Sequence, residues 1–392
     1  MQNRDIALFL DSFPFMTYHK KQKLFEVFKQ PLDIFNKSYF SKKKQEVMTF
    51  LDDEQYKRVA DNIDEKYYSK VLEKLENLKI KYITLFDDDY PELLRNIDTP
   101  PFVLYYKGDR ELLNSLCIGV VGSRKITNYG VMVTEKFTKE LIKYGFTIVS
   151  GLAYGVDTLA HTETLKNKGK TIAVLAGGLD KIYPKANSHL ADDIVKGGGL
   201  LVSEMPPNTR LEAHMFPIRN RIIAGLSKAI LVTEAQESSG VMHTKNYALD
   251  YGRDVFAVMG SIFSESSRGA NKMITLGHAK GVSQIEDIIE EYNLAPLIEK
   301  KEEKDLSSPE QAIIDFLQGG EKSFQEIVDG TGLGVSTLNT LLTKMTIKGV
   351  VKKLAGNTYF LKWFWLILSK KKDIFACKKS FQTKLFGSFN QI

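Results

Sequence analysis

Six short apolar runs, each followed by a helical pattern, constrain this chain more than any other feature. The runs are Ile118–Val121, Thr147–Ser150, Thr171–Ala176, Leu200–Ser203, Ala229–Thr233 and Asp254–Val258, and amphipathic segments lie near 127–144, 156–168, 188–196, 217–226 and 240–251. Parallel strands need long crossover connections, so this alternation builds a parallel sheet covered by helices on both faces. The runs themselves are almost continuously apolar, as strands buried on both faces are. The expected fold is therefore α/β: a Rossmann-like, doubly wound, mainly parallel sheet over residues 80–293, closed by a helix from Ser283 to Tyr292.

Different patterns flank this domain. Residues 1–75 place Ala7, Leu8, Phe25, Phe28, Val47, Phe50 and Leu51 at helical spacing, which predicts a small helical domain. A charged stretch, Glu299 to Asp305, has no apolar face and predicts a solvated linker over 294–308. Residues 309–361 predict helices at Pro309–Leu317, Phe324–Val328 and Val335–Lys348, then a hairpin through Val350–Leu354 and Thr358–Leu361. Three helices and a hairpin make a winged helix-turn-helix. The remainder, 362–392, is a basic tail.

Charge narrows the search for a partner. The net charge is +6, from 54 Lys and Arg against 48 Asp and Glu in 392 residues. The tail holds Lys370, Lys371, Lys372, Lys378, Lys379 and Lys384 against Asp373, so the rest of the chain is nearly neutral. Any polyanion site must therefore be local. The two cysteines, Cys117 and Cys377, stand too far apart in sequence to suggest a zinc site or a disulfide framework, which fits a reducing cytoplasm. The longest apolar stretch, Trp363–Leu368, falls far short of the roughly 20 residues that span a bilayer. No membrane partner is expected.

Ligands of a doubly wound sheet bind at the carboxyl ends of its strands. Gly122, Ser123 and Arg124 follow the first strand, just before a helix near Thr127 whose free N–H groups would face the loop. Ser123 adds a hydroxyl, and Arg124 can fork two hydrogen bonds onto a phosphate. Gly151 and Gly155 follow the second strand, Gly177 and Gly178 the third, and Ser239 and Gly240 open the 240–251 helix. Several such corners on one sheet edge suit a phosphate chain better than a single phosphate. Phe216, Arg219, Asn220 and Arg221 sit at another helix start, where two arginines flanking an asparagine invite a phosphate. Taken singly, glycine turns are routine connections and arginines are often ion-paired; the argument rests on their sum.

Several enzymatic signatures are incomplete. The first loop lacks the third glycine of a dinucleotide fingerprint, and Ser150-Gly151 stands where a ribose-binding carboxylate belongs. Gly169-Lys170-Thr171 resembles the end of a Walker loop, but it precedes its strand and Thr164 occupies the first glycine position. Ala153 takes the serine position of a nucleophile elbow. The six histidines show no metal-ligand spacing; His161 reads as structural, and Asp157 as a backbone cap. No catalytic residue, metal or cofactor is expected.

An ordered series of motifs resembles the DNA-processing protein A family, also called Smf. It comprises Tyr90–Leu94, Pro100-Pro101, Leu104-Tyr105, Gly119–Arg124, Ser150–Asp157 with His161, Ala176–Asp180 and Tyr183-Pro184. It continues through Ser203-Glu204, Phe216-Pro217, Arg219–Arg221, Glu234-Ala235, Ser239-Gly240, Gly252–Val255 and Gly269–Asn271 before Ile274. The resemblance runs from about 85 to 290. It implies a recombination mediator that binds and protects single-stranded DNA and loads RecA recombinase during natural transformation. It further implies a homodimer without enzymatic activity, with single-strand-binding protein as a further candidate partner. The N-terminal segment is similar to that family's SAM or helix-hairpin-helix unit, yet Pro14–Tyr18 lacks the hairpin glycines that would hold a phosphate.

Two other readings compete. One is a nucleotide-hydrolysing enzyme of the lysine-decarboxylase-like group, which needs a P-G-G-x-G-T-x-x-E run where this chain has Glu234–Thr244. The other is a transcriptional regulator acting through the winged helix. Its third helix, however, presents Ser336, Thr337, Asn339, Thr340 and Lys344 with few cations.

Overall fold

The computed structural model of the chain describes residues 2–28, 30–295, 308–317, 320–347, 350–354 and 356–361. The linker expected at 294–308 lies almost wholly outside these residues, and the tail 362–392 entirely so. The chain forms two compact units that divide between residues 297 and 298.

The first unit is organised by a nine-stranded sheet. Its strands are β1 (Lys81–Thr84), β2 (Val103–Gly108), β3 (Cys117–Val121), β4 (Thr147–Ser150), β5 (Thr171–Leu175), β6 (Leu200–Ser203), β7 (Ala229–Val232), β8 (Asp254–Val258) and β9 (Lys280–Val282). The spatial order is β1-β2-β6-β5-β4-β3-β7-β8-β9. β3 pairs in parallel with β4 on one side and β7 on the other, so the winding reverses there. A crevice at such a reversal is the favoured ligand site of doubly wound sheets. The six expected strands and their intervening helices form as read. β1, β2 and β9 add to them, and β2 runs antiparallel to both of its neighbours.

Alternate strand residues enter opposite cores, which is why the runs are continuously apolar. Val149, Ile172, Val174, Val202 and Ile230 pack against helices Met215–Leu226 and Val241–Asp250. Ile118, Val120, Ile148 and Leu231 face the other way, against Phe137 and Leu141 of helix Asn128–Lys143 and Ala160 of helix Val156–Lys166. Beyond β4 the same face is covered by Ala191 and Ile194 of helix Ser188–Lys196, and the N-terminal segment adds Phe9, Leu10, Phe28 and Phe40 to a core shared with Tyr105, Ala173, Leu175 and Leu201.

A polar contact is buried within that core. Lys21 pairs with Asp11, and the Tyr105 hydroxyl donates to Asp11 Oδ2 at 2.7 Å. Burial pushes the Asp11 carboxyl up, while Lys21 and the hydrogen bonds pull it back. Because an unpaired charge here would be costly, the contact fixes how the helices seat on β2.

In the second unit, helices Ser308–Leu317, Phe324–Thr331 and Val335–Ile347 precede hairpin strands β11 (Val351–Leu354) and β12 (Thr358–Leu361). Strand β10 (Lys322–Ser323) joins β12, giving the order β10-β12-β11. Ser323 and Glu326 close a capping box on the second helix, and Gly332, at φ 67°, ends it in the left-handed conformation. Ile313, Ile327, Leu338, Leu342 and Leu361 form the core.

Candidate nucleic-acid interface

A cleft of about 680 Å³ opens at the carboxyl ends of β3, β4 and β7, at the switch point. It gathers Gly122, Ser123, Arg124, Phe216, Arg219, Asn220, Ser239 and Gly240, eight residues drawn from three separate stretches of sequence. Lys125, Tyr183, Gln236, Ser238 and Thr244 also line it. Three cations, Arg124, Lys125 and Arg219, face one carboxylate, the buried Asp157. Arg124 and Lys125 are exposed, and among the described residues no carboxylate forms an ion pair with either.

Arg219 holds the floor together. It is 6% exposed, and its Nη1 donates to the carbonyl of Gly151 at 2.7 Å and to that of Val174, joining the ends of β4 and β5. Its Nε donates to Asn220 Oδ1 at 3.2 Å. Burial pulls the guanidinium down to about 10, with Asp157 opposing the shift. It still carries its charge at neutral pH. Asp157 Oδ2 in turn accepts from the N–H groups of Gly151 (3.1 Å) and Ala153 (3.3 Å). Its carboxyl is raised by burial, against the pull of Arg219. Asp157 therefore caps and orients backbone, as the sequence suggested.

The loop after β3 is built internally. Ser123 accepts from the Lys125 N–H at 3.1 Å, its hydroxyl donates to the Lys125 carbonyl at 2.9 Å, and its own N–H donates to the Glu234 carbonyl. A Cβ on Gly122 would come within 2.5 Å of Val156 Cγ2, so only glycine lets these segments meet. Arg124 lies over the ring of Phe216, 5.4 Å from its centroid, and Phe216 meets Tyr183 edge-on at 5.6 Å.

Two expectations need correction. The helix after the first loop does not line the cleft with its N-terminus, since Thr127, Asn128 and Tyr129 are not among the lining residues. Thr127 caps it, accepting from Gly130, and the buried Glu234 takes both the N–H (2.9 Å) and the hydroxyl (2.5 Å) of Thr127. The protein's own carboxylate occupies the place foreseen for a phosphate. Arg221 is likewise turned away, buried against Glu204.

The remaining glycines lie behind or beside the cleft. Gly151 packs directly on Arg219. Gly155 has φ 77°, and a Cβ there would lie 2.2 Å from the Ser123 carbonyl oxygen, so only glycine allows this close approach. Gly177 and Gly178 are buried under Leu211, Pro206 and Pro207 and do not line the cleft. Sequence reasoning passed over Lys125 and Tyr183 as site residues. The first sits beside Arg124, and the second belongs to a motif already quoted, so both signals were available.

His161 is buried, beside the Thr171 hydroxyl at 2.7 Å, and desolvation together with Arg219 lowers it to about 3. Among the described residues no cluster of His, Cys, Asp and Glu could hold a metal ion, and no helix is long and apolar enough to cross a membrane.

A doubly wound sheet carrying a cationic, glycine-lined cleft at its switch point defines a Rossmann-like architecture with its crevice where such sheets take ligands. The sequence profile of the DNA recombination-mediator protein A family matches residues 81–293, and the chain belongs to that family. The DNA processing protein DprA of Bacillus subtilis is 44% identical over 231 residues, covering 58% of this chain and 77% of that protein. The DprA protein of Streptococcus pneumoniae is 42% identical over 230 residues, covering 59% and 79% respectively. The X-ray structure of DprA from Streptococcus pneumoniae superposes with a TM-score of 0.63 at 35% identity, covering 74% of this chain and 98% of that one.

Proposed function

We propose that this chain is a single-stranded DNA-binding recombination mediator acting in natural transformation, and that the cleft at β3, β4 and β7 grips the sugar-phosphate chain. The observation that carries this reading is the meeting of Arg124, Lys125 and Arg219 around one cleft with a single buried carboxylate. Family membership supports the same reading. Arg124 and Lys125 meet the incoming phosphates, while Arg219 and Asn220 set the positive floor. Phe216, Ser239 and Gly240 shape the wall. Gly151 and Gly155 act one layer behind, by letting Arg219 and the first loop seat closely. RecA recombinase, single-strand-binding protein and a second copy of the chain are its partners in this reading.

The protein works by binding, not by catalysis. The carboxylate that lines the cleft, Asp157, is engaged with the N–H groups of Gly151 and Ala153. The nucleotide-hydrolase reading needs a free carboxylate after a late strand, and Glu234, which stands there, is tied to Thr127.

A gel shift of oligo-dT against duplex of equal length, run over a range of salt, tests the reading. Tight oligo-dT binding that weakens steeply with salt is expected. Equal or stronger binding of duplex contradicts it.

A further inference from the structure

We propose that Tyr183 is a stacking platform for an unpaired nucleobase, set beside the phosphate grip; the proposal rests on the single-strand reading above. Three observations carry it. First, Tyr183 lines the cleft yet is 54% exposed, so its ring has a face open to solvent. Second, Phe216 is already engaged, with the Arg124 guanidinium over its ring and Tyr183 against it, and is only half-buried. Of the two rings, Tyr183 is the one left to receive a base.

Third, the segment that carries Tyr183 is anchored. Pro184 and Asn187 are buried, and the Asn187 side-chain amide donates to the Leu152 carbonyl at 2.9 Å and to Thr158 Oγ1 at 2.8 Å. The segment that carries the ring is thus tied to the loop after β4 before DNA arrives. Pre-ordering of this kind reduces the entropic cost of binding.

The chemistry fits a single strand in particular. Every base has a π-face, so stacking on tyrosine tolerates any sequence. A duplex keeps those faces stacked on one another and cannot offer one. Arg124 and Tyr183 both contact the same phenylalanine, so a strand can hold a phosphate at the first and a base at the second. The pair separates two tasks: charge holds the backbone, and the ring selects for unpaired bases.

The test uses fluorescence anisotropy of the full chain with labelled oligo-dT and with an all-abasic strand of equal length and charge. Wild type is expected to bind oligo-dT more tightly than the abasic strand. Tyr183→Ala is expected to lose about tenfold on oligo-dT and nothing on the abasic strand, with the slope of log affinity against log salt unchanged. Tyr183→Phe, which keeps the ring, is expected to stay within about twofold of wild type. An unaltered oligo-dT affinity in Tyr183→Ala, or equal losses on both strands, overturns the proposal. If wild type binds neither strand, the single-strand reading fails first and this inference falls with it.

Discussion

The buried Arg221 pairs with the half-buried Glu204, which removes the arginine from the cleft: Nη2 lies 2.5 Å from each carboxylate oxygen. Arg219, two positions earlier on the same helix, goes to the cleft floor. Residues two apart on a helix point in different directions, so two arginines adjacent in the motif serve separate tasks. Removing one partner of a buried pair strands the other charge. Arg221→Ala is therefore expected to lower folding stability by about 3–5 kcal/mol. The salt dependence of oligo-dT binding should stay unchanged in whatever fraction remains folded. Denaturant unfolding and salt titration together check this.

Gly151 and Arg219 are mutually dependent. A Cβ at 151 would lie 2.4 Å from Arg219 Nη2, which forces the guanidinium off the Gly151 and Val174 carbonyls. Gly151→Ala should cost about 1–3 kcal/mol through overpacking. It should also weaken oligo-dT binding, because the floor cation moves.

Glu234 distinguishes a structural carboxylate from a catalytic one. With Thr127 holding both of its oxygens, Glu234→Ala should lower stability by about 1–3 kcal/mol through the hydrogen-bonding groups left unpaired. Wild type incubated with AMP should release no base. Base release that disappears in Glu234→Ala would restore the hydrolase reading.

His161 makes stability depend on pH. Its folded value of about 3 lies below the ordinary 6.5, so the folded protein favours the neutral ring. This contribution is complete above pH 6.5 and is lost as pH falls toward 3, by about 1.4 kcal/mol per unit. Asp157, whose carboxyl is raised above its ordinary value by burial, acts with the opposite sign. The difference in melting temperature between wild type and His161→Gln isolates the histidine, and that difference should shrink from pH 7 to pH 5. A constant difference would mean that the ring is not forced neutral.

The sheet was legible because its strands are buried on both faces, and continuous runs such as Thr171–Leu175 mark themselves. β2 was missed although Val103–Tyr106 is just as apolar, because no helical pattern leads from it to the next strand. β9, three residues long and led by Lys280, carries too little signal. At the site, residue type was legible and direction was not. Arg124, Arg219 and Arg221 read alike, yet burial and a carboxylate on a distant strand end decide which of them meets the cleft. The helix after Thr127 shows the same limit, since Glu234 holds its capping residue Thr127 from 107 residues away in sequence.

The central claim is that Arg124 holds phosphate at the switch-point cleft. Oligo-dT affinity of wild type and Arg124→Ala, each measured across salt concentrations, tests it most directly. Losing one phosphate contact should reduce the slope of log affinity against log salt by about 0.7 and weaken binding at low salt. Identical slopes and affinities for the two proteins would contradict the account.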